Sequence, residues 1–414
     1  SATLVQGGAA QVRPEVDVAI VGAGMVGLAL AGLLRREDDT LRLAVIDAGG
    51  PPAFDGTADV GLRVSAVSPG SAALLERCGA WQAVPRGRMG TYSAMCVWDA
   101  RGEAQGSEAL SFAADELGLP ELGHIVENEL IRHVLYQALG AGEGGIHWHF
   151  DTRVEGLDGG ARAARLTLAD GGHLDAALVV GADGARSAVR RLAGMPVRSR
   201  RYPQDALVTH VRPERRHRDT AWQRFLPSGP VALLPLGDGR CSVVWSTDTG
   251  VCAELMDLPD EDLGARLTEA TDGVLGALAV AGPRGSFPLA VSYAPDYVGS
   301  RLVLAGDAAH AVHPLAGQGV NLGFSDAGEL ARCIGAARRA GEDTGDRPVL
   351  RRYERARKGE NMRTLIFLDA LQRFFGLDSA AVARIRMDGM RLFNRIGPLR
   401  RMAVRHATGL AETA

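Results

Sequence analysis

Short apolar runs that stop at a glycine or an acid recur along this chain. Asp17–Gly22 (DVAIVG) is one, and Leu41–Ile46, stopped by Asp47, is a second. Ala177–Gly181 and Leu302–Ala305, the latter stopped by Gly306, follow the same pattern. Runs of this length bounded by turn residues predict strands. Helical stretches lie between them: an Ala/Leu-rich segment running to Arg36, Glu127–Leu139, and most of the chain after Asp326. Tyr202–Trp245 changes character. ALVTHV, AWQRFLP, PVALLPL and CSVVWS are separated by breaks at Ser228-Gly229 and Asp238-Gly239, which predicts an antiparallel sheet. Val251–Gly282 reads as helical. The pattern as a whole predicts an α/β chain with a Rossmann-like nucleotide-binding domain, an antiparallel second domain and C-terminal helices. The expected boundaries are 15–90, 120–193 and 296–345 for the first domain, 91–119 and 194–295 for the second, and 346–414 for the helical region.

Chemistry enters with the first run. Gly22, Gly24 and Gly27 (GAGMVG) follow a strand and open a helix, and Asp47 ends the next strand 20 residues past Gly27. This is the dinucleotide fingerprint in its required context. Gly22 allows the tight turn, Gly24 the close approach of a pyrophosphate, Gly27 the packing of helix on strand, and Asp47 meets ribose hydroxyls. The motif alone is weak, and Gly140-Ala-Gly142-Glu-Gly-Gly145 repeats its spacing after a helical stretch, where it predicts only a loop. The fingerprint does not choose between NAD and FAD. In Gly61–Trp81, Arg63 offers a guanidinium that matches phosphate geometry. The stretch Arg301–Asp326 carries Gly306, Gly317, Gly319 and Gly323. It predicts a strand, a sharp turn at Gly306-Asp307, a loop holding Pro314 and a helix starting near Gly317. Gly317, Gly319 and Asn321 would then place N–H groups at a helix N-terminus, where an anion is favoured.

GDAAHAVHPLAGQGVNLG resembles the third FAD-binding motif of the class A flavoprotein aromatic hydroxylases. ALVVGADGARSAVR resembles their second. RVSAVS, LGHIVENELIRHVL, TAWQRFLPSGPVALLPLGDG and YERARKGEN resemble the ubiquinone-biosynthesis branch, so the resemblance spans about 17–410. It implies a glutathione-reductase-type, p-hydroxybenzoate-hydroxylase-like fold and FAD as cofactor. It also implies roles for residues. Asp307 would contact the ribityl chain, Pro314 would lie beside the reactive face of the flavin, and Gly319, Val320 and Asn321 would meet the pyrimidine edge. Asp183 would bridge the phosphate region and the nicotinamide approach, and Asn128 would contact ribose. Reduced FAD would react with O2, and the resulting hydroperoxide would hydroxylate a polyprenylated phenol or benzoquinol. His313 is the candidate base for the phenol, and His310 reads as structural. Among Trp222, Phe225, Leu234 and Trp245, any that face inward would line the substrate pocket. Gln223 and Arg224 cannot both do so from a regular strand. NAD(P)H is the expected electron donor, binding transiently, because no second convincing fingerprint is present.

Composition narrows the picture without redirecting it. A net charge of −3 gives no electrostatic reason to expect nucleic acid. Five cysteines without CxxC spacing predict free thiols in a reducing compartment. With no signal peptide read in Ser1–Pro14, the expected location is cytoplasmic, with the inner-membrane surface as the peripheral alternative. Val18–Leu34 has no charged residue but is too short for a membrane span. His147 and His149 share one face of a strand without other ligands nearby, so no metal is expected. The segment 381–406 holds seven arginines among apolar residues. It reads either as contact with anionic lipid or other ubiquinone-pathway proteins, or as a helix packed on the chain's own body. Two further readings stay open: a hydroxylase of the same fold acting on another aromatic, and a flavin-bound subunit without turnover. A flavin halogenase is excluded for want of Trp-x-Trp-x-Ile.

Overall fold

A computed structural model describes residues 13–143, 145–311, 319–376, 384–385 and 387–391. Four apolar runs form the centre of a parallel sheet in the order Leu302–Leu304, His173–Gly181, Val16–Val21, Leu43–Ile46, with His147–His149 added at one edge. Val298–Gly299 closes the other edge antiparallel, and Val154–Gly159 and Ala164–Leu168 extend from His173–Gly181 as an antiparallel ribbon. Val16–Val21 and Leu43–Ile46 are covered on both faces, which is why they read as continuous hydrophobic runs. The uncharged stretch Val18–Leu34 is divided between strand Val16–Val21 and helix Met25–Glu37. No described helix is long and apolar enough to cross a membrane.

The second sheet has eight strands. Arg198–Pro213, Thr220–Leu226, Gly229–Pro235 and Cys241–Asp248 are the four expected from sequence. Ala94–Asp99 joins them parallel to Thr220–Leu226, and Leu110–Ala113 pairs beyond it. The helical reading of Val251–Gly282 holds for Thr249–Asp257 and Asp260–Ala270 but fails at its end. Leu278–Tyr293 is a 16-residue strand paired with Arg198–Pro213. Pro283 and Pro288 interrupt its pattern, and tertiary pairing overrides the helical propensity of Leu278–Ala281. A third, three-stranded sheet (Val64–Val67, Gly123–Glu127, Gly90–Tyr92) lies between the two larger ones. Gly90 has no room for a Cβ, which would fall 1.9 Å from the Pro235 carbonyl oxygen. Helix Gly319–Arg339 packs on Met25–Glu37, and helix Arg347–Gly376 packs on Gly319–Arg339 in turn. Gly140–Gly145 lies outside strands and helices, as expected.

Candidate active site

The carboxyl ends of the parallel strands bring the motifs together, as open α/β sheets do for their ligands. Val16–Val21 ends at Gly22, Leu43–Ile46 at Asp47, His173–Gly181 at Asp183, and Leu302–Leu304 runs through Ala305 to the Gly306-Asp307 turn. Gly22 has φ +111, and a Cβ there would lie 2.2 Å from the Ala182 carbonyl oxygen, so the first and second motifs touch backbone to backbone. A Cβ on Gly27 would lie 2.0 Å from the Gly22 oxygen, which is the helix-on-strand packing expected of it. A Cβ on Gly24 meets nothing within 4 Å. The fold itself leaves that ledge open, and a pyrophosphate fits there. Arg132 braces the same loop, its Nε donating to the Ala23 carbonyl at 3.0 Å.

Asp47 is partly buried; it accepts from the Ala23 N–H at 2.6 Å and the Gly49 N–H at 2.7 Å, leaving lone pairs for ribose. Asp183 caps helix Ala188–Leu192, accepting from the Ala188 N–H at 2.7 Å and the Val189 N–H at 3.1 Å. Its observed work is therefore that of a cap. Arg190, from that helix, crosses to the third motif and donates to the Ala308 carbonyl at 2.7 Å. Asn128 takes its N–H to the Arg63 carbonyl at 3.0 Å and accepts from the Ser65 hydroxyl at 2.7 Å. The Arg63 side chain is exposed, with its guanidinium 5.8 Å from the centre of the Phe287 ring of the second sheet. Asn321 donates to the Ala66 carbonyl at 2.9 Å and accepts from the Ser68 N–H at 3.0 Å. Gly319, Val320 and Asn321 form the first turn of helix Gly319–Arg339. His313, Pro314 and Gly317 lie outside the described residues.

Asp307 is the exposed position in a stretch, Leu302–His310, that is otherwise buried. It opens into a cleft, yet protein crowds it on every side. Burial pushes its carboxyl above the ordinary range, against the pull of His310 and Arg63. Water in the open cleft moderates that rise. Gly306 has φ +63, and a Cβ there would come within 3.2 Å of Val26. His310 is buried and pairs through Nε2 with Asp326 at 2.5 Å, in keeping with a structural role.

Sequence reading missed what lies beneath this turn. Asp326, 0% exposed, accepts from the Gly306 N–H, Arg357 Nε and Asn361 Nδ2, besides pairing with His310. Burial would raise its carboxyl, but His310, Arg357 and Asn361 prevail and bring it down to about 2. A usable signal was present: Tyr353, Arg357 and Asn361 recur every fourth residue on one helix face.

On the second sheet the Gln223/Arg224 alternative resolves. Arg224 turns away from the cleft and donates to the carbonyls of Ala100, Glu269 and Ala270. Gln223 borders a small cavity with Ala66, Tyr92, Met95, Ala221, Trp222 and Leu234. Leu234 is thus at the cavity, as expected. The Trp222 ring packs edge-on against Trp98. Phe225 and Trp245 are core, the first against Met390 and the second among Leu207, Val231 and Val243. All five cysteines are buried and free, and burial pushes Cys78 and Cys241 up to about 12, so neither is a nucleophile at neutral pH.

The FAD binding domain family matches residues 15–365. Ubiquinone hydroxylase UbiL of Rhodospirillum rubrum is 37% identical over 393 residues, covering 95% of this chain and 89% of that protein. The 3-demethoxyubiquinol 3-hydroxylase of Escherichia coli is 36% identical over 398 residues, covering 95% of this chain and 98% of that one. Among solved structures, p-nitrophenol 4-monooxygenase PnpA of Pseudomonas putida superposes with a TM-score of 0.75 at 20% identity, covering 95% of this chain and 97% of that one. That likeness speaks to the fold.

Proposed function

The chain belongs to the FAD binding domain family, and we propose from that premise that it hydroxylates the aromatic ring of a polyprenylated phenol or benzoquinol. It is a FAD-dependent monooxygenase of ubiquinone biosynthesis, acting on a quinone-type substrate with O2. The observation that carries the reading is that 36–37% identity to ubiquinone hydroxylases runs through 95% of this chain, so it includes the nucleotide sheet, the second sheet and the helix that follows them.

In this reading the parallel sheet holds FAD and the antiparallel sheet covers the substrate. Gly22, Gly24, Gly27 and Arg63 receive the pyrophosphate, and Asp47 and Asn128 the ribose. Gly306 and Asp307 receive the ribityl chain, and Gly319, Val320 and Asn321 the pyrimidine edge. Asp183 serves the phosphate region from its helix cap. The bound flavin supplies the oxygen-transfer chemistry. The protein's part is to bind it, to keep water away, and to hold the ring within reach. His313 is assigned as the base for the phenol and Pro314 as the residue facing the flavin. NAD(P)H is assigned as the electron donor.

Contact with an anionic membrane surface or a partner protein through 381–406 belongs to the same proposal. It is supported by Ile366, Phe367 and Ile385, each more than 60% exposed, beside exposed Arg384. Against it, Met390 is buried on Phe225 and Arg391 pairs with Glu108 at 3.5 Å, so part of the segment packs on the chain itself. Flotation with vesicles containing anionic lipid tests this, and protein left at the bottom of the gradient at low salt would refute it.

The decisive experiment deletes the gene in its host, grows the cells aerobically and identifies the accumulating quinone precursor by mass spectrometry. A polyprenylated phenol or quinol lacking one ring oxygen is expected. An undisturbed quinone pool without such a precursor, in a host with no second hydroxylase, would overturn the substrate assignment.

A further inference from the structure

We propose that Arg357 and Asn361 are positioning residues for the flavin site: through Asp326 they fix the Gly306-Asp307 turn against which FAD lies. The inference rests on the FAD reading above. Helix Arg347–Gly376 turns one polar face toward strand Leu302–Leu304 and the turn beyond it. The Tyr353 hydroxyl donates to the Leu304 carbonyl at 3.0 Å, and Glu354 accepts from the Tyr297 N–H at 2.8 Å. One turn on, Arg357 Nε donates to Asp326 Oδ1 at 2.9 Å; a further turn on, Asn361 Nδ2 donates to the same oxygen at 3.0 Å. The opposite oxygen, Oδ2, takes the Gly306 N–H at 3.1 Å and pairs with His310 Nε2. Arg357 also donates to Glu360 at 2.7 Å and to Asn361 Oδ1 at 3.1 Å. Asp326 and Asn361 are 0% exposed, His310 1% and Arg357 4%.

Holding the helix in place does not require this set. Apolar residues of similar volume stabilise a buried interface as well as a buried ion pair does, because the pair must first be desolvated. What the polar set adds is direction. Both Asp326 oxygens are occupied, so the carboxylate cannot rotate, and the Gly306 N–H it accepts is fixed with it. Gly306 is in the left-handed region, where the backbone of glycine has many alternatives. The next residue is Asp307, the open carboxylate in a buried stretch. The C-terminal helix therefore sets, through two hydrogen bonds and one carboxylate, where Asp307 points.

The test compares purified holoprotein with Arg357→Lys, which keeps the charge but loses the fork that reaches Asp326, Glu360 and Asn361 together. Three quantities are read: the FAD dissociation constant by flavin fluorescence, the visible circular dichroism of the bound flavin, and the thermal midpoint after flavin removal. The dichroism reports flavin geometry, which a purely structural role would leave alone. The expected result is a dissociation constant raised about tenfold, the equivalent of one charge-assisted hydrogen bond, with an altered visible band and a nearly unchanged flavin-free midpoint. Wild-type FAD affinity and an unaltered band in the Lys variant would overturn the inference. If Arg357→Lys does not fold, the double variant Asp326→Leu/Arg357→Met carries the same two outcomes with an apolar pair in place of the charges. Wild-type protein that neither contains nor takes up FAD would overturn the cofactor reading, and this inference with it.

Discussion

Gly24 and Gly27 stand three residues apart in one motif and answer to different constraints. At Gly27 a side chain collides with the fold itself, 2.0 Å from the Gly22 carbonyl oxygen. At Gly24 it meets only open space, on a backbone of φ −79 that any residue adopts. Gly24→Val is therefore expected to fold with an unchanged circular-dichroism spectrum and to purify without flavin. Gly27→Val is expected to be insoluble or to melt far below wild type. A soluble Gly24→Val protein with full flavin content would falsify the assignment of that ledge to the pyrophosphate. Asp326 supplies the second test at this scale. Its folded value of about 2 lies below the ordinary 3.8, so the sign is that of a stabilising carboxylate. The stabilisation is complete above about pH 4 and is lost as pH falls toward 2; its size is on the order of 2 kcal/mol. Urea midpoints followed downward from pH 5 are expected to fall less steeply in Asp326→Asn, which starts lower. Equal slopes in the two proteins would remove Asp326 from the account of acid stability.

At the scale of elements, a strand residue that turns outward does a helix's work. The Arg224 guanidinium collects the carbonyls of Glu269 and Ala270 at the end of helix Asp260–Ala270, and that of Ala100 from a neighbouring turn. Orphan carbonyls at a helix C-terminus favour such a cation. Arg224→Met is expected to lower stability by about 1–2 kcal/mol in denaturant titrations. Turnover per bound flavin is expected to stay at wild type, since the side chain points away from the cleft; a large fall in turnover at full flavin occupancy would contradict its placement. Alternation in AWQRFLP shows that Gln223 and Arg224 face opposite ways, but it carries no sign, because both faces of this sheet are covered. The same physics sets how much was legible elsewhere. Asp17–Gly22, Leu41–Ile46 and the glycines between them follow local rules of turn and packing, and the structure places them within two residues of expectation. Leu278–Tyr293 was hidden because its alternation is blurred by two prolines and its strand character comes from Arg198–Pro213, far away in sequence. The Asp326 cluster was hidden for a related reason. Arg357 in YERARKGEN looks like one more charge on a solvated helix until the helix is known to dock on Leu304 and Tyr297.

For the molecule as a whole, the question is how two sheets that each carry half of a reaction stay in register. The loop between Asp55 and Arg63 is the link. Arg240, on the second sheet and 5% exposed, donates to the Asp59 carboxylate, to Asp238 at 2.8 Å and to the Ala281 carbonyl at 2.7 Å. It holds the Asp59 carboxyl down to about 2. Two residues on, the Gly61 carbonyl lies 3.0 Å from His210 Nε2 of the same sheet, and the Gly61 N–H donates to Glu127 of the small sheet at 2.6 Å. Arg63 follows, with its backbone on Asn128 and its guanidinium over Phe287. A residue assigned to the pyrophosphate is thus placed by contacts with the substrate side. Arg240→Met removes the Asp59 and Ala281 contacts while keeping a side chain of similar length. Amide hydrogen exchange is expected to speed up across 55–63, with no change in Val16–Val21, where opening requires loss of the whole parallel sheet. FAD affinity should fall by a smaller factor than in a variant of Arg63 itself, because the loop is loosened and its charge retained. Unchanged exchange in 55–63 would mean that the Gly61 contacts alone hold the loop, and that Arg240 serves only its own hairpin.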